Sequence, residues 1–146
     1  QILQGSRVVL NESQTASIIE GSNVCEFKSF KSTRNPIFSK LIYKSSAIKS
    51  DFFDKKDFIK GIRGCNMSFY KNDCIAINGF NESFVGWGRE DSEFVARFLF
   101  NGGELRRMKF AGIAYHLYHT ENSREMLESN HQIYLDTIKN KRVNWQ

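Results

Sequence analysis

The second half of the chain is divided by glycine and asparagine into short segments that alternate between strand and helix patterns. Phe94, Val95, Phe98 and Leu99 have the spacing of an apolar helix face, which Gly102-Gly103 closes. In order, the predicted elements are a strand over Cys65–Tyr70, a helix over Lys71–Ile77, a helix from Glu90, a strand over Lys109–Tyr118 and a helix from Glu121 to about Lys141. Strands that alternate with helices predict an α/β domain.

The first half carries weaker patterns. Arg7–Leu10 predicts a strand, Thr15–Glu20 a short helix, and Pro36 is placed to begin another helix over 37–42. The charged stretch 44–60 contains three phenylalanines and predicts an irregular loop.

Composition limits the class of protein. A chain of 146 residues with 40% hydrophobic and 25% charged residues is long enough for one globular domain. Its formal charge of +5 fits a solvated basic surface, or attraction to anionic lipid headgroups or phosphorylated ligands. Charge alone also allows a nucleic-acid binder, but no nucleic-acid-binding module accompanies it, so we expect no nucleic-acid partner.

The cysteines and the apolar runs of the sequence indicate in which cellular compartment the protein is expected. Three cysteines without a CxxC pair predict buried free thiols in a reducing compartment. No apolar run approaches the roughly 20 residues needed to span a bilayer, and the start of the sequence does not resemble a signal peptide. We therefore expect a cytoplasmic protein, with peripheral attachment at the inner face of the membrane as a further possibility.

The loop Gly86-Trp87-Gly88-Arg89-Glu90-Asp91 holds the residue types that sugar chemistry needs. Glycines allow tight turns and close approach to a ligand, and the indole of Trp87 offers an apolar plate for a sugar ring. A carboxylate of Glu90 or Asp91 can take a proton from an attacking hydroxyl. The alternative is that these acids only cap a helix and interact with its dipole. Arg89 either contacts an anionic acceptor or points to solvent.

His116 and His119 are separated by three residues near the end of a predicted strand. Imidazole nitrogens are good ligands for divalent metals. A pair at this spacing is often structural, and in a straight strand the two rings would face opposite sides. A turn after Tyr118 would allow them to converge.

Four sequence motifs follow one another along the chain: Arg63 to Tyr70, Ile77 to Glu82, Gly86 to Glu93 and Tyr115 to His119. In this order and spacing the chain resembles the C-terminal region of inverting family 2 glycosyltransferases of GT-A type. It also resembles the related galactosyltransferase C-terminal domain of chondroitin-polymerase-like and beta-1,4-galactosyltransferase-like enzymes. The resemblance covers roughly Ile2 to Arg124.

The resemblance implies a role for each matching residue. Asp91 would be the general base and Glu90 would bind acceptor hydroxyls. His119, with His116 as second choice, would complete the coordination of Mn²⁺ or Mg²⁺ at the donor diphosphate. The remaining binding residues would contact acceptor or donor, namely Trp87, Gly86, Gly88, Arg63, Gly64 and Asn66. For Asn66 the alternative is a satisfied side chain on a core strand. The implied partners are a nucleotide sugar, taken as a UDP-sugar, and a glycan or lipid-linked acceptor.

An Asp-x-Asp motif, which holds the metal in GT-A enzymes, does not occur in this sequence. We therefore expect the C-terminal part of a GT-A, Rossmann-like fold that lacks the nucleotide-binding half, with residues 1–124 as the acceptor-side region and 125–146 as a helical tail. Such a fragment would be nearly inactive alone and would expose apolar edges that favour self-association. The alternative function is a non-catalytic carbohydrate-binding or assembly module.

Overall fold

The computed structural model describes residues 1–22, 47–48, 61–108 and 112–146. Its strands are β1 (Ile2–Gln4), β2 (Ser6–Val9), β3 (Ala47–Ile48), β4 (Met67–Phe69), β5 (Leu105–Arg107) and β6 (Ile113–His116). Its α-helices are α1 (Glu12–Ile19), α2 (Lys71–Ala76), α3 (Glu90–Phe100) and α4 (Leu127–Asn140), and a 3₁₀ turn spans Gly64–Asn66. The chain divides into two compact units, the first formed by Gln1–Gln4, Ser46–Arg107 and Asn122–Gln146, the second by Gly5–Ser45 and Met108–Glu121.

The first unit contains a mixed four-stranded sheet in the order β3-β5-β1-β4. Strand β1 runs parallel to β5 and antiparallel to β4, while β3 pairs antiparallel with β5. The register places Ile2 opposite both Phe69 and Leu105. Ile2 and Leu105 are fully buried, so the sheet contributes directly to the hydrophobic core.

Helix α3 lies at the centre of the first unit. Every residue from Ser92 to Leu99 is buried, which is unusual for a helix with a polar face. Its apolar residues join the core cluster that consists of Ile2, Ile62, Ile77, Phe94, Val95, Ala96, Phe98, Leu99 and Leu105. Tyr134 and Ile138 of α4 pack against this cluster. The helix is therefore held on several sides by other elements of the unit.

The second unit contains the parallel pair β2–β6 and helix α1. Asn11 and Gln14 form a capping box at the start of α1, in which each side chain accepts the backbone N–H of the other residue at 2.9 Å. The N–H of Tyr118 donates to Oγ1 of the buried Thr15 at 2.8 Å. This hydrogen bond links α1 to the segment that follows β6.

The predicted α/β class is confirmed as a mixed α/β architecture, and several predicted elements are present. The helix from Glu90 is found where the sequence placed it, and α2 lies within Lys71–Ile77. The predicted strand over Arg7–Leu10 corresponds to β2, which lies one residue earlier, and the predicted strand over Lys109–Tyr118 corresponds to the shorter β6. The predicted helix over 37–42 lies outside the described residues. The division at residue 124 stays a prediction.

Other predictions were wrong in part. Of the strand predicted over Cys65–Tyr70, Met67–Phe69 forms β4, but Cys65 and Asn66 belong to the 3₁₀ turn, and Cys65 is exposed rather than buried. The last helix begins at Leu127, after a turn in which the hydroxyl of Ser123 accepts the N–H of Glu125 at 3.2 Å. The stretch 44–60 contains β3. Within the described part of the chain, none of the helices has the length and apolar character to cross a bilayer.

Candidate active site

A glycine-rich loop leads the chain into α3. Gly86, Gly88 and Arg89 all have positive φ angles of 70°, 114° and 75°, so three of four successive residues adopt left-handed or related conformations. Glycine adopts these conformations without steric cost, and Arg89 does not. The result is a sharp turn that places Glu90 and Asp91 in the first turn of a buried helix.

Helix α4 anchors this loop. The side-chain amide of Asn130, which is 1% exposed, donates to the carbonyls of Val85 at 3.0 Å and Trp87 at 3.3 Å. A Cβ at position 88 would lie 2.7 Å from a methyl carbon of Leu127, so the loop approaches α4 too closely for a side chain there. Sequence reasoning missed Asn130, since a lone asparagine on a predicted helix carries no signal of its own.

Trp87 lies at the surface of the loop. Its side chain is 43% exposed, and the guanidinium carbon of Arg124 lies 5.0 Å from the centroid of its ring. An exposed indole bordered by an arginine is suited to contact both the apolar and the polar atoms of a sugar.

The two carboxylates are held by backbone amides. Glu90 Oε2 accepts the N–H of Gly88 at 3.1 Å, and Asp91 Oδ2 accepts the N–H of Gly64 at 2.9 Å. The hydroxyl of Ser92 donates to Asp91 Oδ1 at 3.2 Å. Both acids are half-buried at the positive end of the α3 dipole. These contacts fix the direction of each carboxylate.

The contact between Asp91 and Gly64 brings together two of the predicted site segments. A Cβ at position 64 would lie 3.4 Å from Cβ of Asp91, so the two backbones approach closely. Asn66 is half-buried in the same 3₁₀ turn. Arg63 is exposed, and its guanidinium donates to the carbonyl of Ile62 at 2.7 Å.

A buried ion pair lies on α3 one turn beyond these acids. Glu93 and Arg97 are both 0% exposed and are joined by two hydrogen bonds of 2.7 and 3.0 Å. Arg97 also donates to the carbonyls of Ile77 and Gly79 that follow α2, and Thr137 of α4 donates to Glu93 at 3.1 Å. The sequence signal was the i, i+4 spacing of an acid and a base.

His116 and His119 belong to the second unit, where β6 ends at His116. Because the strand stops there, the two rings do not face opposite sides, and their Nε2 atoms lie 3.1 Å apart. His119 Nδ1 lies 2.9 Å from the carbonyl of Thr120. A carbonyl only accepts, so Nδ1 carries a proton and a neutral His119 has a bare Nε2.

Burial lowers the pKa of His116, and the charges of Arg7 and His119 lower it further. The neutral form, which is the form that binds metal, is therefore favoured near neutral pH. No group of three or more His, Cys, Asp or Glu side chains that could share a metal ion occurs among the described residues. The pair thus offers two nitrogen ligands rather than a complete site.

The sequence matches a family model described as the N-terminal domain of galactosyltransferase over residues 44–120, a little more than half of the chain. All ten predicted site residues, from Arg63 to His119, lie within the matched region. Searches of curated proteins and of solved structures found no match. The chain belongs to the family described as the N-terminal domain of galactosyltransferase, and is therefore a glycosyltransferase-related domain.

Proposed function

We propose that this chain supplies the acceptor side of an inverting, metal-dependent glycosyltransferase of GT-A type. In this proposal the enzyme transfers a sugar from a nucleotide sugar, in particular a UDP-sugar, to a hydroxyl of a glycan. The main supporting observation is the Asp91 carboxylate, which the N–H of Gly64 holds at the start of a buried helix beside the Trp87 loop. Family membership supports the general class of reaction.

In the proposed reaction Asp91 is the general base. Oδ2 is engaged by the N–H of Gly64, whereas Oδ1 has one neutral hydroxyl neighbour and retains capacity to accept the acceptor proton. As the proton moves to Asp91, the acceptor oxygen forms a bond to the anomeric carbon of the donor. The bond from that carbon to the diphosphate oxygen breaks, and its electron pair leaves with the nucleotide diphosphate.

The neighbouring residues would orient the acceptor. Glu90 uses Oε2 to accept the N–H of Gly88, which leaves Oε1 to accept a hydrogen bond from an acceptor hydroxyl. The indole of Trp87 would pack against the sugar ring, and the glycines at 86 and 88 allow the ring to approach the backbone. Such positioning contributes to rate because the reacting hydroxyl is held in line with the donor.

The histidine pair fits a metal ligand pair. Two Nε2 atoms converge to 3.1 Å, His119 has its proton fixed on Nδ1, and His116 is kept neutral by its lowered pKa. A Mn²⁺ or Mg²⁺ ion bound with their help would neutralise negative charge on a diphosphate. The backbone carbonyl of Thr120 orients His119 in the manner of an outer-shell partner.

The first test replaces Asp91 by Asn in the complete gene product that carries this chain. We expect sugar transfer to slow by roughly 10²–10⁴-fold with little change in donor KM, because the amide cannot accept the proton. Glu82→Gln is the matched control, since Glu82 is an exposed acid on the preceding loop and should retain the parent rate. An Asp91→Asn enzyme as fast as the parent would eliminate Asp91 as the base.

The second test concerns metal binding. Binding of Mn²⁺ is titrated and followed by electron paramagnetic resonance. His119→Gln and His116→Gln should each bind Mn²⁺ at least roughly tenfold more weakly than the parent, because each variant lacks one ligand. His131→Gln, on α4, is the control and should bind Mn²⁺ as the parent does. Unchanged affinity in both histidine variants would show that the pair is structural.

A carbohydrate-binding or assembly module is the second candidate. It is favoured by the exposed indole of Trp87. This candidate predicts glycan binding that depends on Trp87 but no turnover of any nucleotide sugar in the complete gene product. Turnover that Asp91→Asn abolishes would reject it.

A further inference from the structure

One arginine lies over the indole that the proposed function assigns to the acceptor, and a second belongs to the same loop as that indole. The guanidinium of Arg124 lies over the Trp87 ring at 5.0 Å, and Arg89 follows Trp87 by two residues in the same loop. Both arginines are exposed. Any saccharide packed against Trp87 would therefore meet at least one guanidinium group.

Arg89 occupies a position whose backbone favours glycine. Its φ of 75° places it in the left-handed region, where a side chain costs free energy that glycine would not. Strained non-glycine residues concentrate at functional sites, where the side chain has a use that compensates for the strain. The charge of Arg89, rather than the shape of the turn, is therefore the feature that needs an explanation.

The neighbouring acids do not neutralise that charge. Glu90 and Asp91 accept backbone N–H groups, and within the described ranges no carboxylate lies within ion-pair distance of Arg89. The guanidinium of Arg89 lies against the ring of Tyr134, whose centroid is 5.6 Å from the guanidinium carbon. This contact fixes the guanidinium and leaves its positive charge without a counterion among those residues.

We propose that the acceptor saccharide carries an anionic group, a carboxylate or a phosphate, which Arg89 and Arg124 bind beside Trp87. The inference rests on the proposed function, because it assumes that the Trp87 loop binds the acceptor. A guanidinium group presents a planar set of donors that matches both carboxylate and phosphate oxygens. Binding of this kind selects charged acceptors over neutral ones of the same size.

The test compares three oligosaccharides of equal length on the complete gene product by isothermal titration calorimetry. One ends in a uronic acid, one is its carboxyl-reduced, neutral counterpart, and one carries a phosphate monoester on the terminal sugar. We expect at least one charged oligosaccharide to bind roughly tenfold more tightly than the neutral one, which is the contribution of about one charge-assisted hydrogen bond. The charged ligand that gains affinity identifies the anionic group.

Variants of the two arginines test whether they cause the preference for charged oligosaccharides. In Arg89→Gly combined with Arg124→Gln the preference should fall to about twofold or less, since both guanidinium groups are removed. Arg89→Gly suits its backbone conformation, so loss of the preference cannot be ascribed to added strain. Arg142→Gln, which removes an exposed arginine that pairs with Asp136 on α4, controls for the loss of an exposed positive charge elsewhere and should keep the preference.

Equal affinity for all three oligosaccharides would overturn the inference, as would a preference that survives the double variant. Sugar transfer to the charged and neutral acceptors with the same KM would also overturn it and leave the transferase proposal standing. An anion preference that depends on the two arginines, without transfer to any acceptor, would support the binding site and count against the transferase proposal instead.

Discussion

Arg89 and Tyr134 show how a single strained residue is held in place. The guanidinium of Arg89 lies against the ring of Tyr134, which is half-buried on α4. Burial raises the pKa of the Tyr134 phenol, and the nearby charge of Arg89 partly opposes that rise. The contact contributes about 0.5–1 kcal/mol, which offsets only part of the roughly 1–2 kcal/mol that the left-handed backbone costs.

The change Arg89→Gly should therefore leave the free energy of unfolding within about 1 kcal/mol of the parent. It should also raise the pKa of Tyr134 further, because a cation that stabilises the phenolate is removed. A pH titration of the ¹³Cζ resonance of tyrosine measures this shift, with Tyr134→Phe to assign the signal. Arg89→Lys keeps the charge and is the control. A Tyr134 pKa that is lower in Arg89→Gly than in the parent would contradict the contact between the two side chains.

At the scale of elements, α3 is fixed by charge as well as by its apolar residues. Arg97 joins Glu93 to the two carbonyls that follow α2, and Thr137 joins Glu93 to α4. Because all three side chains are buried, the helix that begins with Glu90 and Asp91 has a defined position relative to both neighbours. We infer that this network stabilises the geometry of the carboxylates.

The change Arg97→Met should destabilise the fold by about 3–5 kcal/mol, because it leaves Glu93 buried without its cation. Adding Glu93→Leu should recover a large part of the loss, since no unpaired charge then remains. Urea denaturation of the parent, both single variants and the double variant forms a double-mutant cycle. Additive effects in the cycle would show that the pair is not coupled.

Some elements could be predicted from local sequence, and others could not. The bounds of α3 follow from the acids at its start and the glycines at its end, because capping is a local property. The strand β3 and its pairing with β5 depend on distant contacts, for which the sequence of 44–60 carries no local signal. The start of α4 was misplaced, since the residues from Glu121 to Met126 precede the helix and include a local hydrogen bond from the N–H of Glu125 to the hydroxyl of Ser123.

Some features of the candidate site could likewise be predicted from the sequence, and others could not. The roles of Asp91 and Gly64 came from a resemblance spanning the order of four motifs, and the structure places these two residues in contact. The anchoring of the Trp87 loop by Asn130 was not predicted, because it depends on how α4 packs. The convergence of His116 and His119 required β6 to end at His116, which periodicity alone does not determine.

At the scale of the whole molecule, the two units carry different parts of the proposed chemistry. Asp91 and the Trp87 loop belong to the first unit, and the histidine pair belongs to the second. Both lie within the region that matches the galactosyltransferase family, although the chain segments of the two units alternate along the sequence. We therefore expect sugar transfer from the complete gene product and not from either unit alone.

The most direct test of that claim is the product formed from a UDP-sugar labelled with ¹³C at its anomeric carbon. The complete gene product is incubated with Mn²⁺, the labelled donor and a glycan acceptor, and the anomeric signal is followed by nuclear magnetic resonance. We predict that the label becomes joined to the acceptor with the opposite anomeric configuration to the donor. A retained configuration would contradict inversion with Asp91 as the base, and failure to transfer the label to any acceptor would contradict the transferase proposal itself.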